Sequence, residues 1–271
     1  MRNEKGVMAV ALIMATSAMI GTALGSDTDE GQPVQPGEAN AQTIKVLHVT
    51  GGGFHDFAEQ SKIIPRLITS RGDFEVDVIG PDWDAAKKAL SKAGWADGYD
   101  IVVYNICDAH QTDETLINTV SKVHTEGTTP AVVIHGSLHS FHWKMGTDKT
   151  KFEGEEWLKV VGMASGSHGR RAAITVSTIQ EDHPIMKGLP RTWTTPDGEL
   201  YNSHDVLPST TPLAMGDNGS AKQGPQVCIW VNQCGKSRVF GTSLGHHNAT
   251  MEADVYGDML VRGILWACGR L

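Results

Sequence analysis

The densest group of chemically capable side chains is the run His135-Gly-Ser-Leu-His139-Ser-Phe-His142. If this run is helical, His135 and His139 lie four residues apart on one face, a spacing with which two imidazoles can clamp a metal ion. Imidazole also titrates near neutral pH, so these residues are equally candidates for general acid–base work. The alternative is a polar loop with local hydrogen bonds. The run lacks the glutamate of an H-E-x-x-H motif, which excludes a zincin-type protease.

Further candidates lie in glycine-containing segments elsewhere in the chain. In Leu244-Gly245-His246-His247, the glycine leaves His246 free to reach across the top of a sheet. Glu199 is a candidate metal ligand or base, the alternative being a turn of solvated acids. His55 follows a glycine triplet and is a second acid–base candidate. His168, in Gly166-Ser167-His168-Gly169, is a further candidate in a glycine-containing segment.

The triplet Gly51-Gly52-Gly53 comes between a predicted strand and a predicted helix. It matches neither G-x-G-x-x-G nor a Walker loop, and no acid follows at the distance expected for a ribose contact. We therefore expect no nucleotide cofactor. A tight turn that brings the backbone close to a ligand is the better interpretation.

The sequence also speaks against acyl-enzyme chemistry, because no G-x-S-x-G or G-x-C-x-G elbow is present. His135 occupies the position after the fourth predicted strand, where an elbow nucleophile would lie. Imidazole acts as a base or a metal ligand far more often than as a nucleophile.

Apolar strands alternate with helices through the first half of the chain. Predicted strands cover residues 44–49, 74–79, 101–106 and 131–134, and predicted helices follow to about residue 70 and at 83–93 and 112–126. Continuous apolar strands indicate a parallel sheet that is covered on both faces. In the second half, residues 172–179 alternate like an exposed strand, 227–231 and 237–241 resemble a hairpin, and 256–268 are helical. The pattern predicts one α/β domain with an open parallel sheet and antiparallel additions in its C-terminal half.

Ligands of open α/β sheets bind beyond the carboxyl ends of the strands. The candidate residues follow predicted strands, so we expect the imidazoles to meet in one crevice at that edge. We assign substrate contacts there to Gly52, Gly53, Asp108, His168 and Tyr201.

The N-terminus has the three regions of a secretory signal peptide. Arg2 and Lys5 precede an apolar run at residues 7–20, and Ala23-Leu24-Gly25 supplies the small residues of a cleavage site. The alternative, an uncleaved membrane anchor, requires about 20 apolar residues, which is more than this run provides. We predict a signal peptide over residues 1–25 and a periplasmic or extracellular protein with no other membrane association.

Residues 26–43 are rich in glycine, proline and polar side chains and predict a flexible leader before a folded domain at residues 44–271. The chain of 271 residues is 40% apolar, enough for one sizeable core. Its formal charge of −8, without any basic block, argues against binding to nucleic acid or anionic lipid.

The four cysteines of an exported chain could pair. Cys228 and Cys234 flank a predicted hairpin turn, so a cross-strand disulfide between them is conceivable. Cys107 and Cys268 are far apart in sequence. Buried free thiols are the equal alternative, because connectivity cannot be deduced from spacing.

A series of short segments matches, in order, the pattern of a known family. These are residues 46–55, Val132-Val133-Ile134-His135, residues 162–169, residues 183–190, Glu199-Leu200-Tyr201-Asn202, residues 235–246 and Arg262-Gly-Ile-Leu-Trp-Ala. Together they resemble the trehalose-utilisation (ThuA-like) family of the class I glutamine amidotransferase-like superfamily, over nearly all of residues 44–271.

The resemblance implies a flavodoxin-like fold, with helices on both faces of the sheet. By analogy with the amidotransferases, His135 replaces the elbow cysteine and His246 falls near the catalytic histidine. The histidine at the elbow argues against glutaminase activity. The family also implies a link to sugar breakdown, in which its members resemble partners of sugar 3-dehydrogenases that act on 3-keto-glycosides or related sugars.

Such chemistry requires a base, a Lewis acid or donor on the keto oxygen, and an acid for the leaving group. We assign a divalent metal ion, zinc being one candidate, to His135, His139 and His246. Glu199 is then a fourth ligand or the base, and His55 is the other acid–base candidate, so that His55, Glu199 and His135 form the catalytic set. Two alternatives stay open: a non-catalytic carbohydrate-binding module on this fold, and a metal-dependent amide or ester hydrolase.

Overall fold

In a computed structural model, residues 42–141, 155–220 and 224–271 are described. The predicted signal peptide and residues 26–41 of the predicted leader lie outside these ranges, as does His142. The described residues all belong to one compact unit, Gln42–Leu271. Among their helices, none combines the length and the apolar character that crossing a bilayer requires.

Continuous apolar sequence builds the parallel half of the main sheet. Its strands, in spatial order, are β2 (Phe74–Ile79), β1 (Ile44–Gly52), β3 (Ile101–Cys107), β4 (Ala131–Ile134) and β11 (Ser237–Thr242). All neighbours among these five pair in parallel. Every residue of β3 and β4 is buried, which is why these strands are apolar without alternation.

Antiparallel strands extend the sheet beyond β11. They are β10 (Gln226–Cys234), which forms the predicted hairpin with β11, then β9 (Thr210–Asp217), β6 (Thr175–Thr178) and β7 (Thr192–Thr194). A separate two-stranded antiparallel sheet consists of β5 (Ala164–Arg171) and β8 (Glu199–His204). The structure therefore confirms the predicted α/β fold with antiparallel additions in the C-terminal half.

Helices cover both faces of the main sheet, as predicted. One face packs against α1 (Phe57–Thr69) and α6 (Asp254–Ala267). The other packs against α2 (Trp83–Leu90), α3 (Glu114–Thr125) and α4 (Glu155–Val161). The short helix α5 (Asn248–Met251) precedes α6. The carboxylates of Asp56, Asp82 and Asp113 accept hydrogen bonds from backbone N–H groups in the first turns of α1, α2 and α3, which sets where these helices begin.

Two glycine-containing segments that supply candidate site residues are strands. Gly166–Gly169 lies within β5, and Glu199–Asn202 lies at the start of β8. In addition, β1 extends to Gly52, three residues beyond its predicted end at Val49. The extension is possible because Gly52 pairs closely with Cys107, where a Cβ atom on the glycine would lie 2.2 Å from the Cys107 carbonyl oxygen.

Of the two alternatives left open for Cys228 and Cys234, the cross-strand disulfide is not formed. Both residues lie on β10, and the hairpin turn comes after Cys234, so the two thiols are six positions apart on one strand rather than opposite each other. All four cysteines are free, and Cys107, Cys228 and Cys234 are buried. The free-thiol alternative is the one that the structure supports.

His48 is a polar residue in an apolar position. It lies in the middle of β1 with no exposed surface, and neither ring nitrogen has a hydrogen-bond partner among the described residues. Burial lowers the pKa of the His48 imidazole to about 3. The ring is therefore neutral when folded, whereas the unfolded chain binds a proton below about pH 6.5.

We predict that His48→Leu stabilises the protein. Removing two unpaired ring nitrogens from the interior should raise the free energy of unfolding by about 1–3 kcal/mol at pH 7. The gain should grow by about 2 kcal/mol at pH 5. Between pH 7 and pH 5 the unfolded wild-type chain binds a proton at His48 that the folded protein does not, so the wild-type protein loses stability as the pH falls and H48L does not. Urea unfolding at both pH values measures this. The exposed His204, changed to alanine, should leave both values unchanged, and a less stable H48L protein would contradict the prediction.

Candidate functional site

Three imidazoles meet at the carboxyl edge of the parallel strands. His55 follows β1, His135 follows β4 directly, and His246 comes after β11. One ligand-capable nitrogen from each ring lies within 4.8 Å of the other two. The expected convergence of distant histidines is confirmed, and it follows from the parallel arrangement of the three strands.

His135 lies at a sharp strand-to-helix turn. Its φ of +40° is in the left-handed region, which a residue with a side chain adopts only under local constraint. Gly136 permits the turn, because a Cβ atom there would lie 2.7 Å from the Ile106 carbonyl oxygen and 3.1 Å from Cε1 of His55. His135 thus occupies the predicted elbow position with a strained backbone of the kind that elbow nucleophiles have.

Backbone carbonyls fix the tautomers of two of the three rings. His135 donates from Nδ1 to the Ser243 carbonyl oxygen at 2.6 Å, and His55 donates from Nδ1 to the Gly53 carbonyl oxygen at 3.0 Å. A carbonyl can only accept, so Nε2 of each ring carries the free lone pair. The His55 Nε2 is buried and has no hydrogen-bond partner among the described residues. Imidazoles that ligate a metal are held in this way.

Glu199 completes the group from the small sheet. Its Oε2 atom lies 3.2 Å from Nδ1 of His246 and 3.9 Å from Nε2 of His135, and these two nitrogens are 3.2 Å apart. In a tetrahedral zinc site with bonds of 2.0–2.1 Å, ligand atoms lie about 3.3 Å from one another. The donor types present therefore fit a divalent cation, and the His135 and His246 nitrogens already have this spacing. The His55 nitrogen lies within 4.8 Å of both, so a small inward shift of that ring completes a three-nitrogen set.

Burial keeps the three imidazoles neutral. Desolvation is the largest cause in each case, and it lowers the pKa of His135 well below the usual value and that of His246 to about 3. The pKa of His55 is lowered in the same way. The rings also lower one another's pKa, since each disfavours a positive charge on its neighbours. Neutral imidazoles retain the lone pairs that a metal ion requires.

Arg171 opposes a cation at this position. Its Nε donates to Oε1 of Glu199 at 3.3 Å, and its terminal nitrogen contacts Nε2 of His246. A guanidinium only donates, so Nε2 of His246 accepts here and Nδ1 carries the proton. For Nδ1 to ligate a metal ion, the proton must move to Nε2 and Arg171 must turn away. The arginine side chain is 57% exposed, so it has room to do so.

His139 does not belong to this group, contrary to the predicted metal set of His135, His139 and His246. Residues His135–His139 form a 3₁₀ helix with three residues per turn, so side chains four apart point about 120° away from each other. His139 stacks on Tyr201 with ring centroids 3.7 Å apart, and its Nε2 lies 2.9 Å from the Ser165 hydroxyl. The Tyr201 ring also packs against His135, at 4.2 Å. Among the described residues, His55 takes the place of His139 in the three-histidine group.

The site opens into a cavity of about 300 Å³. The predicted site residues His55, His139, His168, Glu199, Tyr201 and His246 all line it, together with Phe54, Cys107, Ala109 and Arg171. Nε2 of His168 lies 3.8 Å from Oε2 of Glu199. The structure thus brings most of the predicted set to one cavity.

The other predicted substrate contacts have structural roles. Asp108 accepts a hydrogen bond from the Trp83 indole N–H at 2.6 Å and is contacted by Gln111. Gly52 and Gly53 hold the β1 end against β3, where the Gly53 N–H donates to the Cys107 carbonyl oxygen at 2.9 Å. The predicted turn over the whole triplet is wrong, because Gly51 and Gly52 belong to β1 and only Gly53 lies beyond the strand.

Arg171 and Phe54 line the cavity but are not among the predicted site residues. Arg171 lies directly opposite Glu199 in the β5–β8 pairing, a cross-strand pair of opposite charge. The two segments are separated by β6 and β7, which belong to the other sheet, so this pairing has no local signal in the sequence. Phe54 follows the glycine triplet. Its sequence position does not show that the side chain is exposed, and the exposure is what makes it a candidate.

The sequence profile of the family described as trehalose utilisation (ThuA) matches residues 45–267. The chain belongs to the ThuA family. The resemblance noted in the sequence is therefore confirmed, and with it the glutamine amidotransferase-like fold. No protein of curated function matches this ThuA-family chain significantly.

Solved structures share the fold of this ThuA-family protein. A ThuA-like protein from Parabacteroides merdae is 20% identical, with a TM-score of 0.66 over 84% of this chain and 90% of that one. A second, from Bacteroides uniformis, is 16% identical, with a TM-score of 0.66 over 86% and 95%. A β-galactosidase from Rahnella sp. R3 is 15% identical, with a TM-score of 0.51 over 82% of this chain but 31% of that chain. At these identities the matches show the fold alone.

We predict that the ThuA-family protein binds one zinc ion through this group. His55→Ala, His135→Ala and His246→Ala should each weaken zinc binding by at least a hundredfold, because each removes a ligand. His139→Ala should change the affinity less than threefold, since that ring stacks on Tyr201 outside the group. Calorimetric titration with zinc measures both effects, with His204→Ala as the exposed control. A larger loss in H139A than in H55A would restore the originally predicted ligand set.

Arg171→Met should increase the zinc affinity of this protein several-fold. The substitution removes a positive charge that contacts both Glu199 and His246, and it frees the His246 tautomer. At a half-exposed position the repulsion is worth on the order of 1 kcal/mol. The same titration measures it, with Arg191→Met as the control, because Arg191 pairs with Glu181 at the surface. Weaker binding in R171M would show that Arg171 supports the cation site by orienting Glu199.

Proposed function

We propose that this protein is an exported, metal-dependent enzyme that cleaves 3-keto-glycosides or related oxidised sugars by acid–base elimination and hydration. The family description, trehalose utilisation, supports a role in sugar metabolism. The observation that carries the proposal is the meeting of three neutral imidazoles and one carboxylate beside a cavity large enough for a small ligand, which His55, His246 and Glu199 line.

The arrangement suits a catalytic cation site better than a structural one. Catalytic zinc sites have three protein ligands and an open position, whereas structural sites are closed by four. His55, His135 and His246 supply the three nitrogens, and the cavity lies beside them. When bound, a divalent cation supplies a Lewis acid for the oxygen of a keto group.

Glu199 is the base of this proposal. Its side chain is 12% exposed, and Arg171 holds one carboxylate oxygen while the other faces the imidazoles. Glu199 also lines the cavity, so a base with one oxygen held by Arg171 is placed to remove a proton from a ligand bound there. His168, which is 40% exposed and 3.8 Å from Glu199, is the group placed to protonate a leaving group at the mouth.

The chemistry follows from the acidity of a carbon next to a ketone. Glu199 takes the C2 proton of a 3-keto-glycoside, the C2–H electron pair forms the C1=C2 bond, and the C1–O bond breaks. The leaving oxygen takes a proton from His168. Water then adds across the enone, with hydroxyl going to C1 and a proton returning to C2, so the net reaction is hydrolysis.

Such a substrate must come from a sugar whose C3 hydroxyl has been oxidised. A sugar 3-dehydrogenase is therefore the partner reaction that we propose to supply it. Because the predicted signal peptide directs the chain out of the cytoplasm, we place the reaction in the periplasm or outside the cell.

Turnover of a 3-keto-glucoside tests the proposal. With zinc present, the wild-type protein should release the aglycone, and Glu199→Gln should slow the reaction by about 10²–10⁴-fold, because the amide cannot accept the C2 proton. His135→Ala should abolish turnover. Glu181→Gln, at an exposed carboxylate, is the matched control and should keep full activity.

Different outcomes would favour the alternatives. Binding of unoxidised oligosaccharide without turnover of any 3-keto sugar would point to a carbohydrate-binding module. Zinc-dependent cleavage of amides or esters, with no action on 3-keto-glucosides, would point to a hydrolase. Full activity after removal of all bound metal would show that the reaction needs no cation. The assignment of Glu199 and His168 as base and acid would then stand without the metal site.

A further inference from the structure

Phe54 is exposed to solvent, whereas an aromatic side chain that stabilises the fold is packed in the core. It is 74% exposed, the most exposed large apolar residue among those described, and it lines the cavity mouth next to His55. Its φ is +73°, in the left-handed region that a bulky residue rarely adopts. Strain of this kind persists where the surrounding structure imposes it, and here the turn after β1 imposes it.

The cavity has an inner part beside Glu199 and the histidines and an outer part beside Phe54. At about 300 Å³, it is at the lower limit of small-molecule sites. With the oxidised ring at Glu199, a second ring linked to it extends toward the mouth, where Phe54 lines the cavity with an uncovered aromatic face.

We propose that Phe54 is a stacking platform for the leaving-group sugar ring of a disaccharide substrate. The inference rests on the proposed function, which places the oxidised ring inside the cavity. The exposed face of Phe54 packs against the C–H face of the outer pyranose, as aromatic rings pack against apolar surface. The substrate class is thus a 3-keto-disaccharide rather than a small alkyl glycoside.

The polar side chains at the same mouth fit this ligand. Arg171 is 57% exposed and His168 is 40% exposed, and both line the cavity with Phe54. A pyranose presents apolar C–H faces and a rim of hydroxyls, so it can use an aromatic surface and N–H donors together. The acyl group of a simple amide or ester would make less use of both the aromatic surface and the N–H donors.

Binding of two unoxidised probes tests the platform without any turnover. Trehalose has an outer ring and methyl α-glucoside has none. Phe54→Ala should weaken trehalose binding about five- to tenfold and leave methyl α-glucoside within twofold, as measured by ligand-observed NMR titration. Phe54→Trp should retain trehalose binding because it keeps an aromatic face. Ile179→Ala, at an exposed apolar residue away from this cavity, should bind both probes like the wild-type protein.

Kinetics with the 3-keto forms of the two probes should show the same division. F54A should raise KM for the 3-keto-disaccharide by about the same factor while kcat is unchanged, since Phe54 touches only the outer ring. Zinc affinity and thermal stability of F54A, measured in parallel, should match the wild-type values. A fall in kcat for both substrates would overturn the platform, because it would show that Phe54 acts through His55.

Failure of this inference is distinguishable from failure of the proposed function. If F54A binds trehalose as well as the wild-type protein does, or loses both probes equally, the platform is wrong while zinc binding and turnover stand. If the wild-type protein turns over no 3-keto sugar but F54A selectively loses trehalose, the enzymatic proposal fails and Phe54 remains a sugar contact.

Discussion

The hydrogen bond from His135 to the carbonyl oxygen of Ser243 is the interaction on which the rest of the site depends. It joins the end of β4 to the segment that follows β11, two neighbouring parallel strands. The bond sets the orientation and the tautomer of the imidazole at once, since only Nδ1 can donate to that carbonyl. Nε2 is thereby directed at His246, and the strained turn at His135 is held in place by the strands on either side.

The site has two structural origins. Its nitrogen atoms come from loops that follow three parallel strands, whereas its carboxylate and its guanidinium come from the separate β5–β8 sheet. Buried imidazoles with lowered pKa values are suited to ligation, and the carboxylate is held from one side by Arg171. The guanidinium and a metal ion would compete for the same neighbours, so the charge balance of the site depends on where Arg171 lies.

Much of this arrangement follows from rules that apply to sequence. The parallel strands are visible as apolar runs, and the rule that ligands bind beyond strand ends brings His55, His135 and His246 together. The ligand assignment to His139 failed because five residues after β4 form a 3₁₀ helix, which an i, i+4 count treats as an α-helix. Spacing left the state of Cys228 and Cys234 open, and the structure decides it because the hairpin turn follows Cys234, so that both cysteines lie on one strand. Contacts such as Arg171 with Glu199 depend on pairing between distant strands, and local pattern contains no information about them.

The small sheet has a consequence for how this fold diversifies. Within the described ranges β5 and β8 pair with each other and with no other strand, so their side chains can be exchanged without disturbing the register of the nine-stranded sheet. Related proteins could keep the three imidazoles and replace the opposing carboxylate, guanidinium or phenol on β5 and β8. Reaction type would then drift while the scaffold stayed the same, which is how one architecture comes to serve unrelated chemistries.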